Sequence, residues 1–141
     1  GNWEINPSLK LNGNNVDSFD VTATNDFVYV AWNEMNNTYQ IRLKRIGFSN
    51  FTWLDAGGTL GINHNTSHHA RNPAIAESGS IFYAAWSEEN TNDSDNVTQI
   101  RLKKLDRSQN ALNTNWVSIG RDNLTAGINF DSRYARAILP L

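Results

Sequence analysis

The chain has 141 residues, 18% of them charged, with a formal net charge of −2 and no cysteine. Such a length suits one domain or a piece of a larger one, and the acidic balance argues against a nucleic-acid binder, which carries a basic excess. The missing cysteines exclude disulfides and thiolate metal sites, and no apolar run reaches the roughly 18 residues of a membrane helix.

Asparagine supplies 21 of the residues. It forms turns and fills helix interiors poorly. With Gly, Ser, Thr and Asp it punctuates the chain every few residues, which predicts many short strands joined by turns. The start, Gly1-Asn2-Trp3, reads as a mature or trimmed end, and no signal peptide is visible.

In chain order, a first strand is expected over Trp3–Leu11, opened by Trp3. The apolar, β-forming run in Phe27–Glu34, FVYVAWNE, predicts a strand buried on both faces. Gln40–Lys44, QIRLK, alternates. Its Ile41 and Leu43 are expected on a packed face, and Gln40, Arg42 and Lys44 on the face that reaches solvent. A loop follows, and then Trp53 opens another strand. The series then recurs. Ile81–Glu88, IFYAAWSE, matches FVYVAWNE, QIRLK returns over Gln99–Lys103, and Trp116 stands where Trp53 stood. The segment GINHNTSHHARNPAI, Gly61–Ile75, recurs as GINFDSRYARAIL, Gly127–Leu139, so that Arg71 meets Arg136.

Four antiparallel strands per repeat of this length is the pattern of a β-propeller blade. The expected class is all-β, with two full blades over about 17–56 and 71–119. An outer strand at 3–11 and an inner strand at 134–141 flank them. Two blades cannot close a ring, so the chain is expected to be completed by oligomerisation or by further blades.

These residues also resemble the repeats of bacterial secreted β-propeller proteins of sialidase-like and lectin-like type. The carrying features are Trp32 to Glu34, Trp86 to Glu88, the Ile-Arg-Leu-Lys strands, and Trp53 and Trp116. The resemblance covers nearly the whole chain. The Asp-box is absent, because GFSNFTW and SQNALNTNW lack its Asp and Gly. Sialidase activity is therefore not implied.

Several groups could carry chemistry. Trp53 and Trp116 could stack on sugar C–H faces, while Arg71, Arg136, Glu34 and Glu88 offer charged, planar partners to hydroxyls. Packing between blades competes with this role for the tryptophans, and a structural hydrogen bond competes for the glutamates. His64, His68 and His69 cluster in NHNTSHHAR, where a surface loop outweighs a metal site. No cofactor is expected, although the acid-rich hairpin over Glu88–Asn96 has ligand chemistry suited to calcium. Asn36, Asn50, Asn65, Asn92, Asn96 and Asn123 begin glycosylation sequons. No nucleophile elbow, phosphate loop or zinc-protease motif occurs.

The expectation is a non-catalytic extracellular or cell-surface module that binds carbohydrate or another surface ligand. Its expected partners are copies of itself or further blades, not nucleic acid. The alternatives are a structural subunit of an extracellular, glycosylated assembly or filament, and a fragment of a glycoside-processing enzyme.

Overall fold

The computed structural model describes residues 15–49, 52–57, 61–89, 98–108 and 115–120. The strands expected at 3–11 and 134–141 lie outside these ranges, as do Arg136, Asn50, Asn92, Asn96 and Asn123. The described residues form eight strands and no helix. The strands are β1 (Val16–Ala23), β2 (Phe27–Asn36), β3 (Thr38–Gly47), β4 (Trp53–Asp55), β5 (Ala70–Ser78), β6 (Ile81–Glu89), β7 (Thr98–Asp106) and β8 (Val117–Ser118). They make two four-stranded antiparallel sheets, ordered β1-β2-β3-β4 and β5-β6-β7-β8. The all-β expectation holds, and each sheet occupies one copy of the repeat.

Local chemistry explains the turns. Thr24 closes the β1–β2 turn, its hydroxyl accepting the N–H groups of Asp26 and Phe27. Asn37 makes the β2–β3 turn at φ 63°, a left-handed conformation that asparagine tolerates. Gly79 makes the β5–β6 turn at φ 60°.

The register confirms that the sheets are copies. Tyr29 pairs with Arg45, and Tyr83 with Lys104. Val16 pairs with Glu34, and Ala70 with Glu88. Both first hairpins carry an irregularity at the same place, between Val16 and Phe19 and between Arg71 and Ala74. In β5 it holds Asn72, at φ 54°, and Pro73. A proline is tolerated in a strand where the ladder is already broken.

Directly paired residues share a face. One face of each sheet, here the front, carries Trp32 in the first sheet and Trp86 in the second. The back carries Tyr29 and Tyr83. The second sheet lays its front on the back of the first. Tyr29, Ala31, Ile41 and Leu43 meet Ile75, Phe82, Ala84, Trp86 and Leu105 in one core. The rings of Tyr29 and Phe82 lie 4.4 Å apart. Arg107 crosses the seam, pairs with Glu77 and donates to the Tyr29 hydroxyl at 2.8 Å.

This stacking corrects the expectation for QIRLK. In β3 the Ile–Leu face is buried, as expected. In β7, however, Arg101 pairs with Trp86 on the front, at the seam, and is only 7% exposed. Ile100 and Leu102 lie on the back and are half-buried. Gln40 and Gln99 are buried too, at 3% and 1% exposure. The Ile, Arg and Leu positions thus meet opposite surroundings, because only one face of each sheet touches the other sheet, whereas Gln40 is closed by the crossover, where its Nε2 donates to the Thr66 carbonyl.

Candidate functional site

The seam is built around the crossover from β4 to β5. Beyond β4 this segment continues along the edge of β3. Ala56 donates to the Leu43 carbonyl at 3.0 Å and Ile62 to the Ile41 carbonyl at 3.0 Å. Gly61 is required there. Its φ is 82°, and a Cβ would sit 2.6 Å from the Ile41 oxygen. Asn63 then replaces a strand backbone with its side chain, accepting the Ile41 N–H at 2.7 Å. The repeated Gly-Ile-Asn thus has three roles: a close approach, a core side chain and a backbone mimic.

Glu88 clamps this crossover from the second sheet. It is fully buried and accepts three donors: Trp86 Nε1 at 2.6 Å, His64 N–H at 2.9 Å and Asn65 N–H at 2.7 Å. A buried carboxylate is stable only when its lone pairs are met in this way. Lys103 adds a bond to the Asn63 carbonyl at 3.2 Å. Glu34 repeats the first of these contacts, accepting Trp32 Nε1 at 3.0 Å.

At the end of the seam, where β1 and β5 begin, a polar rim reaches solvent. The Arg71 guanidinium lies 3.9 Å from the centre of the Tyr39 ring. It also meets Asp17 at 3.2 Å, with the two side chains 40% and 53% exposed. Tyr39 is fixed from below, because its N–H donates to His69 Nδ1 at 3.0 Å. That bond makes Nδ1 an acceptor and puts the proton of a neutral ring on Nε2. The Thr66 carbonyl accepts from Thr38 Oγ1 at 2.7 Å and Gln40 Nε2 at 2.8 Å.

The five proposed ligand residues within the described ranges, Trp53, Trp116, Arg71, Glu34 and Glu88, do not converge. Trp116 packs edge-on against Phe82 at 6.0 Å and donates Nε1 to the Ala56 carbonyl at 2.9 Å. It precedes β8, while Arg71 is in β5, at the other edge of the sheet. Three strand spacings, about 14 Å, separate those edges. Trp53 occupies the position of Trp116 in the first sheet, and its Nε1 is buried with no hydrogen-bond partner among the described residues. Arg71 is the proposed residue that stands on the rim.

Asp17, Tyr39 and His69 complete the rim, and no local sequence pattern marks them as sugar contacts. The available signal was charge. Asp17 and Arg71 hold the same position in the two copies, with opposite sign, which shows only once the strand irregularities are aligned.

The histidines lie in the crossover, as expected of a loop, but His68 is buried, 9% exposed, and its Nε2 lies 3.3 Å from Asn65 Nδ2. Among the described residues no group of three or more His, Cys, Asp or Glu side chains is placed to hold a metal ion. Of the sequons described, Asn36 is exposed at the end of β2, whereas the Asn65 side chain closes its own turn by accepting the Ser67 N–H at 2.9 Å. No family model, curated protein or solved structure matches this chain.

Proposed function

We propose that the chain is a non-catalytic β-propeller module, acting outside the cell or on its surface, that binds carbohydrate or another hydroxyl-rich surface ligand. The observation that carries this reading is the rim. There Arg71, held over Tyr39 and beside Asp17, keeps a planar fork of donors at the surface. A guanidinium so fixed presents paired N–H groups to neighbouring hydroxyls at little entropic cost. In this reading Trp116 and Glu88 build the seam, and the rim meets the ligand. The sequence offers the same arginine again at Arg136.

The test is a glycan array probed with wild-type chain and with Arg71→Ala. Binding by the wild type, weakened at least about tenfold in the variant with circular dichroism unchanged, supports the reading. A blank array for folded protein overturns it.

A second reading is a structural subunit of an extracellular assembly. It is favoured by the exposed Val16, Phe19, Val21, Phe48 and Val117.

A further inference from the structure

Val16, Phe19 and Val21 are 39%, 70% and 49% exposed, and all three lie on the front of the first sheet, paired with Glu34, Trp32 and Val30. Phe48, 48% exposed, holds the place after β3 that Arg107 holds after β7. Val117, 55% exposed, lies on the back of the second sheet, beside Lys104 and Tyr83. Among the described residues the exposed large apolar side chains thus gather on the two faces that the internal seam does not use, those on the first sheet around Trp32, which is itself 3% exposed. A monomer rarely leaves such patches open unless something covers them.

The two faces also match the faces that already pack together. The back of the second sheet presents Tyr83, Ala85, Ile100, Leu102 and Lys104, where the buried back of the first presents Tyr29, Ala31, Ile41, Leu43 and Arg45. The front of the first sheet repeats the Trp32–Glu34 bond, as Trp86–Glu88 does at the seam.

Two details give polarity. Trp116, on the front of the second sheet, bonds through Nε1 across the seam to the Ala56 carbonyl, and Trp53 holds the equivalent place on the front of the first, paired with Ile46. Ile119 stands where Ala56 stands, because each donates its N–H to the leucine carbonyl of its QIRLK strand. Continuing the stack brings Trp53 of one copy to Ile119 of the next. It also brings Asp17 of one copy to Arg71 of the next, again with opposite charges.

We infer that a second copy of this chain docks head to tail on the first, the front of its first sheet covering the back of the other chain's second sheet. The contact repeats the internal seam, rests on the repeated-sheet reading above, and is heterologous, so further copies add in the same direction until a ring closes. Phe48 there replaces Arg107 against Tyr83, making the contact between chains more apolar than the seam inside one.

The experiment is sedimentation of the full chain with two variants at exposed positions, Phe19→Asp and Val117→Asp. Each puts a carboxylate into one of the two faces, which weakens the contact at least about tenfold. The wild type is expected to sediment as an oligomer. Each variant alone is expected to dissociate with unchanged circular dichroism. Mixing the two is expected to give a one-to-one dimer through the two faces left intact. A monomeric wild type, variants that keep the wild-type mass, or a mixture that stays monomeric overturns the inference. These outcomes leave the ligand reading to the glycan array, where a blank result with intact oligomers would overturn that reading alone.

Discussion

Tyr29 and Tyr83 occupy one position in two copies of one strand, yet Tyr29 is fully buried and Tyr83 is half-buried. The same contrast runs through Ile41 and Ile100, and through Leu43 and Leu102. Sequence and register are shared, so neither explains it. The difference is the neighbour: among the described residues the back of the first sheet has a sheet against it, and that of the second does not. Burial in a stacked-sheet protein belongs to the interface as much as to the residue.

The largest expected effect breaks this contrast directly. Tyr29→Ala removes a ring from the core and the Arg107 hydrogen bond, and should cost about 3–5 kcal/mol. Tyr83→Ala should cost less than about 2 kcal/mol under conditions where the chain is monomeric. Urea unfolding of the two variants measures the difference, and equal losses would contradict the stacking described.

Next comes the clamp. Glu88→Ala leaves the Trp86 indole N–H and two backbone N–H groups without their acceptor, and should cost about 2–4 kcal/mol. Glu88→Gln keeps one side-chain oxygen and should recover part of that loss. Hydrogen exchange at His64 and Asn65 should quicken in both variants, and more in the alanine.

A pair of glycines sharpens the comparison further. Gly61→Ala forces a positive φ and a clash with the Ile41 carbonyl, and should cost about 1–3 kcal/mol. Gly79 has positive φ but open space around it, so Gly79→Ala should cost about 1 kcal/mol. Thermal melts of the two variants give the order.

The smallest effect is at the end of β7. The Ser108 hydroxyl, followed by its backbone N–H, holds the Asp106 carboxyl below its usual range. A carboxyl depressed on folding stabilises the fold above its unfolded pKa, and that contribution fades as pH falls through the lower, folded value. Asp106→Asn should therefore lower the urea midpoint slightly at neutral pH, and the gap should close in strong acid. A gap that widens on acidification would reverse the sign.

The strands were legible because the chain states them twice. Two copies of Ala-Trp-x-Glu and of QIRLK locate β2, β3, β6 and β7, and the shared Trp locates β4 and β8. The Gly-Ile-Asn motif was visible as a repeat, but its role was not, since Asn63 acts on the backbone of Ile41, more than twenty positions back in the chain. Arg71 was legible as a charged residue ahead of the inner strand. Tyr39 and Asp17, which hold it, belong to the other copy of the repeat, so no local pattern joins them to it.

The sequence by itself determined the unit: its four strands, their pairing order and the positions that recur, because alternation, turn residues and repetition are local. The tertiary structure alone decided which face of each unit is dry. Two faces of similar composition are available on every sheet, and the stacking of one sheet on the next removes water from one of them. That choice buries Glu88 as a clamp, leaves Arg71 on the rim, and places the basic face of the second QIRLK against the core.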